Sequence, residues 1–189
     1  MRTISFLTAL VLAAPATAEV LDTKAARAPL FSVKGHSVQV SGKLSETDRK
    51  TVVGVIPLMA RQLNQPVRYY ASIAYSPDDG LVHEALQAAM NHHSVAAADA
   101  AAIQACNKAK SRGARSCQVA ARIVPKGYKP RALTLSVEAT AGFDKVFRKS
   151  RGAQSFAISE ATGAWGMGQD DQAALRRCGV RDCEIVIRK

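Results

Sequence analysis

The chain has 189 residues, of which 48% are hydrophobic and 22% charged, and its mean hydropathy is −0.04. This composition is typical of a globular protein and excludes a disordered tail, a collagen-like fibre and a multi-pass membrane protein. The 26 Lys and Arg residues outnumber the 15 Asp and Glu residues, and the resulting net charge of +11 favours partners with acidic surfaces.

Residues 1–18 resemble a secretory signal peptide. Arg2 supplies a positively charged start, residues 4–14 are apolar, and a Pro-Ala-Thr-Ala stretch gives an A-x-A cleavage pattern that ends at Ala18. The apolar run is shorter than the roughly 20 residues that a membrane-spanning helix needs. We therefore expect a mature chain that begins at Glu19, contains no transmembrane segment and resides in the periplasm or outside the cell.

Residues 19–66 are predicted to form an N-terminal strand and helix. Residues 36–40 (His-Ser-Val-Gln-Val) alternate with a period of two, which is typical of a half-buried strand. Residues 45–48 (Ser-Glu-Thr-Asp) resemble a capping box that opens a helix extending to about Leu63. Pro57 is expected to kink that helix because proline removes a backbone hydrogen bond.

Two later stretches, residues 67–125 and residues 153–189, resemble each other and predict an internal repeat. In each copy an apolar strand ends in a polar turn. Gly80 closes this turn in the first copy and Gly163 closes it in the second. An Ala-containing helix follows and ends in a cysteine, and a second cysteine opens the last strand. Each copy is therefore expected to form one strand–turn–strand–helix–strand unit.

The helix of the first copy is predicted over residues 95–108 with Ser94 as its N-cap, and Asp170 is expected to cap the helix of the second copy. The last strands of the two copies are predicted over residues 118–124 and 184–187. Residues 81–93 have a composition that favours a helix, but the shorter second copy has an extended-looking Ala-Trp-Gly-Met-Gly at that point. We therefore favour a hairpin strand there in both copies.

Residues 126–152 connect the two copies and are strongly basic. Within them, residues 132–137 are predicted to form a strand, and Phe143, Val146 and Phe147 are predicted to share one face of a short helix. The chain contains no low-complexity linker, so we expect one compact unit rather than separable domains.

The chain has four cysteines, for which three pairings are open. Their spacing favours two local disulfides, Cys106–Cys117 and Cys178–Cys183, each expected to contribute roughly 2–3 kcal/mol to stability. The alternative is a four-cysteine zinc site. The spacing lacks the short knuckles of zinc ribbons, and export favours oxidation, so we expect disulfides and no metal.

The pattern S-x-A-Y-S-x-x-x-G, then an Ala-rich helix that ends in Cys, then a Cys that opens a strand, resembles domain of unknown function family 4189. That family consists of small exported bacterial proteins. The resemblance covers residues 71–124 and, in shortened form, residues 154–188. It implies a secreted, disulfide-stapled α+β module and supplies no catalytic residues. The predicted fold is thus two related repeats that form a small sheet packed by helices, with an N-terminal strand and helix as an extension.

Short exported chains similar to this one also carry the name 5-aminolevulinate synthase, an enzyme that uses pyridoxal phosphate. The residues argue against that activity. The mature chain is too short for the large two-domain fold of the enzyme, and no Gly-rich phosphate loop precedes a helix. Export would also separate the protein from cytosolic succinyl-CoA. No cofactor is therefore predicted.

His83, His92 and His93 are candidate metal ligands. His83 and Glu84 begin like the helix of a metalloprotease, but Gln87 stands where the second histidine of that motif is needed. His92 and His93 could bind a metal together with His83, which keeps a small metal-dependent enzyme as an alternative. A polar edge beside a helix cap is the simpler interpretation of these histidines.

Two pairs of neighbouring carboxylates are candidate acid–base catalysts. Asp78 and Asp79 precede a glycine in a sequence typical of a turn. Asp170 and Asp171 stand at a predicted helix start, where negative charge complements the helix dipole. These local roles account for both pairs, and we expect no catalytic residues.

The positive charge is concentrated between Lys108 and Arg151. This stretch contains twelve Lys and Arg residues, and its acidic residues are Glu138 and Asp144. The predicted anionic-ligand-binding residues are Lys126, Tyr128, Lys129, Arg131, Arg148, Lys149 and Arg151. Tyr128 lies in a loop that is expected to be exposed.

This charge distribution favours an exported, non-catalytic binding module for an anionic component of the cell envelope. The alternative is a protein–protein interaction or inhibitor module, in which the basic residues serve solubility. Nucleic acid is not expected as a partner, because the chain is predicted to be exported and lacks an aromatic stacking platform.

Overall fold

The computed structural model describes residues 19–62, 64–152 and 154–189, and it has the mixed α+β fold predicted from the sequence. The predicted signal peptide lies outside these residues, as does Leu63, the predicted end of the first long helix. Within the described residues, no helix is both long and apolar enough to cross a membrane.

The helices and strands follow one another along the chain in a simple order. They are β1 (Leu21–Asp22), α1 (Thr23–Arg27), β2 (His36–Val40), α2 (Glu46–Gln62), β3 (Ala71–Tyr75), β4 (Gln87–Ala89), α3 (Val95–Ala109), β5 (Gln118–Pro125), α4 (Val137–Lys145), a 3-10 helix (Phe147–Lys149), β6 (Ser155–Ile158), β7 (Trp165–Gly168), α5 (Asp171–Cys178) and β8 (Glu184–Arg188). The presence of β4 confirms a hairpin strand within residues 81–93.

The strands form two four-stranded sheets with the same layout. The first sheet has the order β2-β5-β3-β4, and the second sheet has the order β1-β8-β6-β7. In each sheet the first strand of a copy pairs antiparallel with both its hairpin strand and its last strand. The N-terminal segment adds one outer strand to each sheet, since β2 joins β5 antiparallel and β1 joins β8 parallel.

The two copies agree in register as well as in order. The pairing shifts between Ile73 and Ala74 in β3, and it shifts at the corresponding point between Phe156 and Ala157 in β6. The same irregularity at the same place in both central strands shows that the repeat extends to backbone geometry.

Each sheet is covered on one face by the helix of its own copy. Small residues make this close packing possible, such as Ala74 against Ala102 in the first copy and Ala157 against Ala174 in the second. The predicted caps are confirmed. The Ser94 side chain accepts a hydrogen bond of 3.1 Å from the Ala97 N–H, and that of Asp170 accepts one of 2.7 Å from the Ala173 N–H.

The opposite faces carry the larger apolar side chains. In the first sheet, Ile73 lies in one cluster with Val52 and Ile56 of α2. In the second sheet, Phe143 and Phe147 pack on Phe156 with all three rings fully buried. Burial of large aromatic side chains is the main source of stability in such a core.

Both predicted disulfides are confirmed. Cys106 is bonded to Cys117, and Cys178 is bonded to Cys183. Each bond joins the end of a copy's helix to the start of its last strand, as the order of elements predicted. All four cysteines of the chain are thereby oxidised.

Two predictions for the connecting segment were wrong. Residues 132–136 form no strand, and Val137 begins α4 instead. Leu133 and Leu135 are buried, so the alternating apolar pattern of this segment correctly indicated core positions. The segment does not join the second sheet, in which β1 pairs with the outer edge of β8. Val146 does not share the buried face of Phe143 and Phe147, because the α-helix ends at Lys145 and leaves the Val146 side chain 52% exposed.

Candidate anion-binding site

A surface groove lies between α1 and the end of α4 with its following 3-10 helix. Its volume is about 580 Å³. We call it the basic groove, and it is lined by Thr23, Lys24, Arg27, Ala28, Asp144, Arg148 and Lys149. Four of these side chains are cationic and one is anionic, so the groove carries a local charge of +3.

Asp144 joins the two arginines of the groove. One oxygen, Oδ1, forms an ion pair with Arg27 Nε at 2.9 Å and accepts a hydrogen bond of 3.0 Å from Arg148 Nη1. The side chains of Arg27 and Arg148 remain 39% and 44% exposed. Since one carboxylate carries one charge, the pair of guanidinium groups keeps an excess positive charge that faces solvent.

The position of α1 follows from its sequence. Asp22 caps the helix by accepting hydrogen bonds of 2.7 Å and 2.8 Å from the N–H groups of Lys24 and Ala25. Ala26 is fully buried in the core of the second sheet. Lys24 and Arg27 therefore lie on the side of the helix away from Ala26, three residues apart and on one face.

The opposite wall of the groove is held in place by two buried aromatic side chains and by Lys189. Phe143 and Phe147 are fully buried, which places the adjoining Arg148 and Lys149 at the surface. Lys189 Nζ donates hydrogen bonds to the carbonyl oxygens of Arg148 and Ser150, at 3.0 Å and 2.5 Å. The 3-10 helix is thus tied to Lys189, which follows β8.

Of the predicted binding residues, only Arg148 and Lys149 line the groove. Lys126, Lys129 and Arg151 are exposed but lie outside its lining. The charge count along the chain therefore identified a basic region, whereas the fold selects a small part of it as a concave site.

Tyr128 and Arg131 have mainly structural contacts. The Arg131 guanidinium lies 3.6 Å above the ring of Phe31 and donates a hydrogen bond of 2.6 Å to the Pro29 carbonyl. The loop of residues 126–131 is exposed as expected, but Tyr128 within it is half-buried and packs against Phe31 and Tyr70 with ring centroids 5.8 Å apart in each case. Both residues hold the segment that follows α1.

Lys24 and Arg27 were not among the predicted binding residues, because they lie more than a hundred residues before Arg148 along the chain. A signal for them was present. An aspartate followed by Thr-Lys-Ala-Ala-Arg predicts a capped helical turn with two cations on one face. What the sequence could not supply was the parallel pairing of β1 with β8 that carries this turn to α4.

The histidines considered as metal ligands have other contacts in the structure. His83 Nδ1 accepts a hydrogen bond of 3.1 Å from the Ala85 N–H, and His92 and His93 are buried where the two copies meet. Among residues 19–62, 64–152 and 154–189, no group of three or more His, Cys, Asp or Glu side chains is placed to hold a metal ion.

The first carboxylate pair fastens the β3–β4 turn to the loop before β5. Asp78 accepts hydrogen bonds of 2.7 Å from both the backbone N–H and Nε of Arg115, which hold the pKa of that carboxyl below its usual value. Hydrogen bonds from Ser111 and Ser76 lower the pKa of Asp79 to about 2. These contacts confirm a turn role for the pair.

Asp171 of the second carboxylate pair forms an ion pair that has a counterpart in the first copy. In the second copy, Arg188 Nη2 donates a hydrogen bond of 2.7 Å to Asp171. In the first copy, Arg122 Nη2 donates one of the same length to Asp99. Both aspartates stand seven residues before the helix-ending cysteine. Each pair therefore ties the helix of its copy to the last strand, and the regular spacing could have been read from the sequence.

Comparison with known proteins gives no match to a protein-family model, to a curated protein or to a solved structure. The resemblance to domain of unknown function family 4189 therefore stays a prediction from the sequence pattern.

Proposed function

We propose that this protein is an exported, non-catalytic binding module whose basic groove holds an anionic component of the cell envelope. The observation that carries the proposal is the concentration of Lys24, Arg27, Arg148 and Lys149 around the single carboxylate of Asp144. These cations come from two distant parts of the chain and converge on one concave surface.

The chemistry of the groove favours phosphate-bearing headgroups. A guanidinium group presents planar, forked N–H donors that match the oxygens of a phosphate, and a lysine adds a mobile point charge. The groups are exposed, so the attraction to a charged surface is screened by salt over a Debye length of about 8 Å at physiological ionic strength. Binding of this kind is reversible and sensitive to salt.

Export is supported by the signal-like sequence of residues 1–18 and by two disulfides, which persist in oxidising compartments. The one carboxylate in the groove, Asp144, forms ion pairs with Arg27 and Arg148 and thereby holds both guanidinium groups at the groove.

Vesicle sedimentation tests the proposal. Residues 19–189 with both disulfides intact are mixed with vesicles of phosphatidylglycerol and phosphatidylcholine, at about 50 mM and about 500 mM salt. A basic residue near an anionic surface contributes about 1 kcal/mol. Replacing Arg27, Arg148 and Lys149 with glutamine is therefore expected to weaken binding about 100-fold at low salt.

A matched control separates the groove from net charge. Replacing Lys43, Arg49 and Lys50 with glutamine removes an equal number of positive charges. These three residues are exposed, lie near or within α2 and do not line the groove. We expect this control to bind nearly as well as the unchanged protein. Equal binding by the two triple variants contradicts the proposal, and so does binding to pure phosphatidylcholine. Recovery of one stoichiometric protein partner at high salt would instead favour the interaction-module alternative.

A further inference from the structure

His93 lies at the junction of the two copies, where three parts of the chain meet. The turn that precedes β7 packs directly on residues 91 and 92 of the first copy, and Gly163 permits this approach. A Cβ atom built on Gly163 would lie 2.4 Å from the Asn91 carbonyl oxygen. On the other side, His92 exchanges backbone hydrogen bonds with Tyr70. The side chain of His93 is consequently only 1% exposed.

Both ring nitrogens of His93 are bonded, and the partners define one tautomer. Nδ1 accepts a hydrogen bond of 3.1 Å from the backbone N–H of Ser136. Nε2 lies 2.9 Å from the Ala164 carbonyl oxygen, to which only a protonated Nε2 can donate. The neutral ring with hydrogen on Nε2 thus links the start of α3 to the second copy and to Ser136, the N-cap residue of α4.

We propose that His93 is a pH-sensitive latch that joins the two copies and α4 while neutral and releases Ser136 when the ring is protonated. Protonation places a hydrogen on Nδ1. That nitrogen then faces the Ser136 N–H, so two donors oppose each other at 3.1 Å without an acceptor. The bond to Ala164 survives, whereas the bond to α4 does not.

The surroundings of the ring oppose protonation. Burial lowers the pKa of His93, and the neighbouring His92 lowers it further, against a smaller opposing effect of the hydrogen bond to Ala164. Charged and titratable groups also face this junction from each packed element: His92 before α3, Glu19 of the N-terminal segment, Glu160 of the β6–β7 turn, and Glu138 of α4, which is held by Asn91 and Arg68. Glu19 and Glu160 are exposed at the cavity beside His93 and do not bond to its ring.

The sign of the pH dependence follows. The pKa of His93 is lower in the closed state than in an opened, hydrated state, so the opened state binds the proton more readily. The latch is fully closed above the ordinary histidine pKa of about 6.5, and below it opening becomes about tenfold more favourable per pH unit until the closed-state pKa is reached.

Amide hydrogen exchange of the oxidised protein between about pH 7.5 and 5 tests the latch. The protection factor of the Ser136 amide is expected to fall about tenfold per pH unit below about 6.5. Amides of β3, in the centre of the first sheet, serve as the internal reference for global unfolding. His93→Gln, which cannot titrate, is expected to remove the pH dependence at Ser136, whereas His92→Gln is expected to retain it.

A flat protection factor at Ser136 in the unchanged protein overturns the proposal, as does an unchanged slope in His93→Gln. If that variant fails to fold, nitrogen NMR of the unchanged protein measures the tautomer and the protonation state of the His93 ring instead. The neutral tautomer with hydrogen on Nε2 is expected at pH 7.5, with protonation and loss of Ser136 protection coinciding on acidification. A ring that titrates near 6.5 while Ser136 stays protected also overturns the latch. These outcomes are independent of vesicle binding.

Discussion

Gly166 is a position where the addition of one methyl group is expected to be strongly destabilising. It lies in β7 directly under α5, and a Cβ atom built on it would lie 2.3 Å from the Cys178 nitrogen and 2.4 Å from the Ala174 carbonyl oxygen. Real Cβ atoms do not approach within 3.0 Å of such atoms, so the helix must move away by about 0.7 Å. The obstructing atoms belong to the backbone and cannot rotate aside.

Overpacking of this kind typically costs 1–3 kcal/mol, and the upper end applies where backbone must shift. Alanine also lowers the conformational entropy of the unfolded chain, which offsets this loss of stability by at most about 1 kcal/mol. Gly166→Ala is therefore expected to lower the free energy of unfolding by about 2–3 kcal/mol. The corresponding fall in Tm is about 4–12 °C for a chain of this size.

Urea unfolding followed by circular dichroism measures this change, with both disulfides verified by mass spectrometry. Gly54→Ala is the matched control, because Gly54 lies inside α2 and a Cβ atom added to it would meet nothing within 4 Å. That substitution is expected to raise stability by about 0.8–1 kcal/mol. A Gly166→Ala protein within about 0.5 kcal/mol of the unchanged chain would refute the close packing of α5 on β7.

Three further predictions concern the disulfides and the groove. Replacing Cys106 and Cys117 with alanine is expected to cost about 3 kcal/mol, because the bridge closes a longer loop in the unfolded chain. Replacing Cys178 and Cys183 is expected to cost about 2 kcal/mol, since their separation is only five residues. Asp144→Asn is expected to strengthen binding to phosphatidylglycerol vesicles about fivefold, because it removes the one negative charge of the groove.

Each of these three predictions can be contradicted by a specific result. Urea unfolding of the two disulfide variants in parallel reveals their order, and a larger loss for the shorter loop contradicts the chain-entropy argument. For the groove, an Asp144→Asn protein that binds anionic vesicles more weakly would show that alignment of the two arginines by the carboxylate outweighs the charge it removes. The stability of this variant is expected to change by less than about 1 kcal/mol, because both ion pairs are partly exposed to solvent.

The sequence by itself determined the local elements and their repetition. Ser94 and Asp170 could be identified as caps because a side-chain oxygen at a helix start satisfies free N–H groups of its own turn. The pairing of Cys106 with Cys117 was favoured for the same reason, since a short loop brings its ends together without help from the rest of the chain. Alternating or helical hydrophobic spacing likewise reports on contacts within a few residues.

The tertiary structure alone decided which distant segments share a surface. Leu133 and Leu135 alternate like a strand and are buried, yet they form no strand, and it is β1 that pairs with β8 at that sheet's edge. The same parallel pairing of β1 with β8 carries Lys24 and Arg27 to Arg148 and creates the basic groove. Such pairings depend on competition between edges and on loop closure over the whole chain, for which a local pattern of residues carries no information.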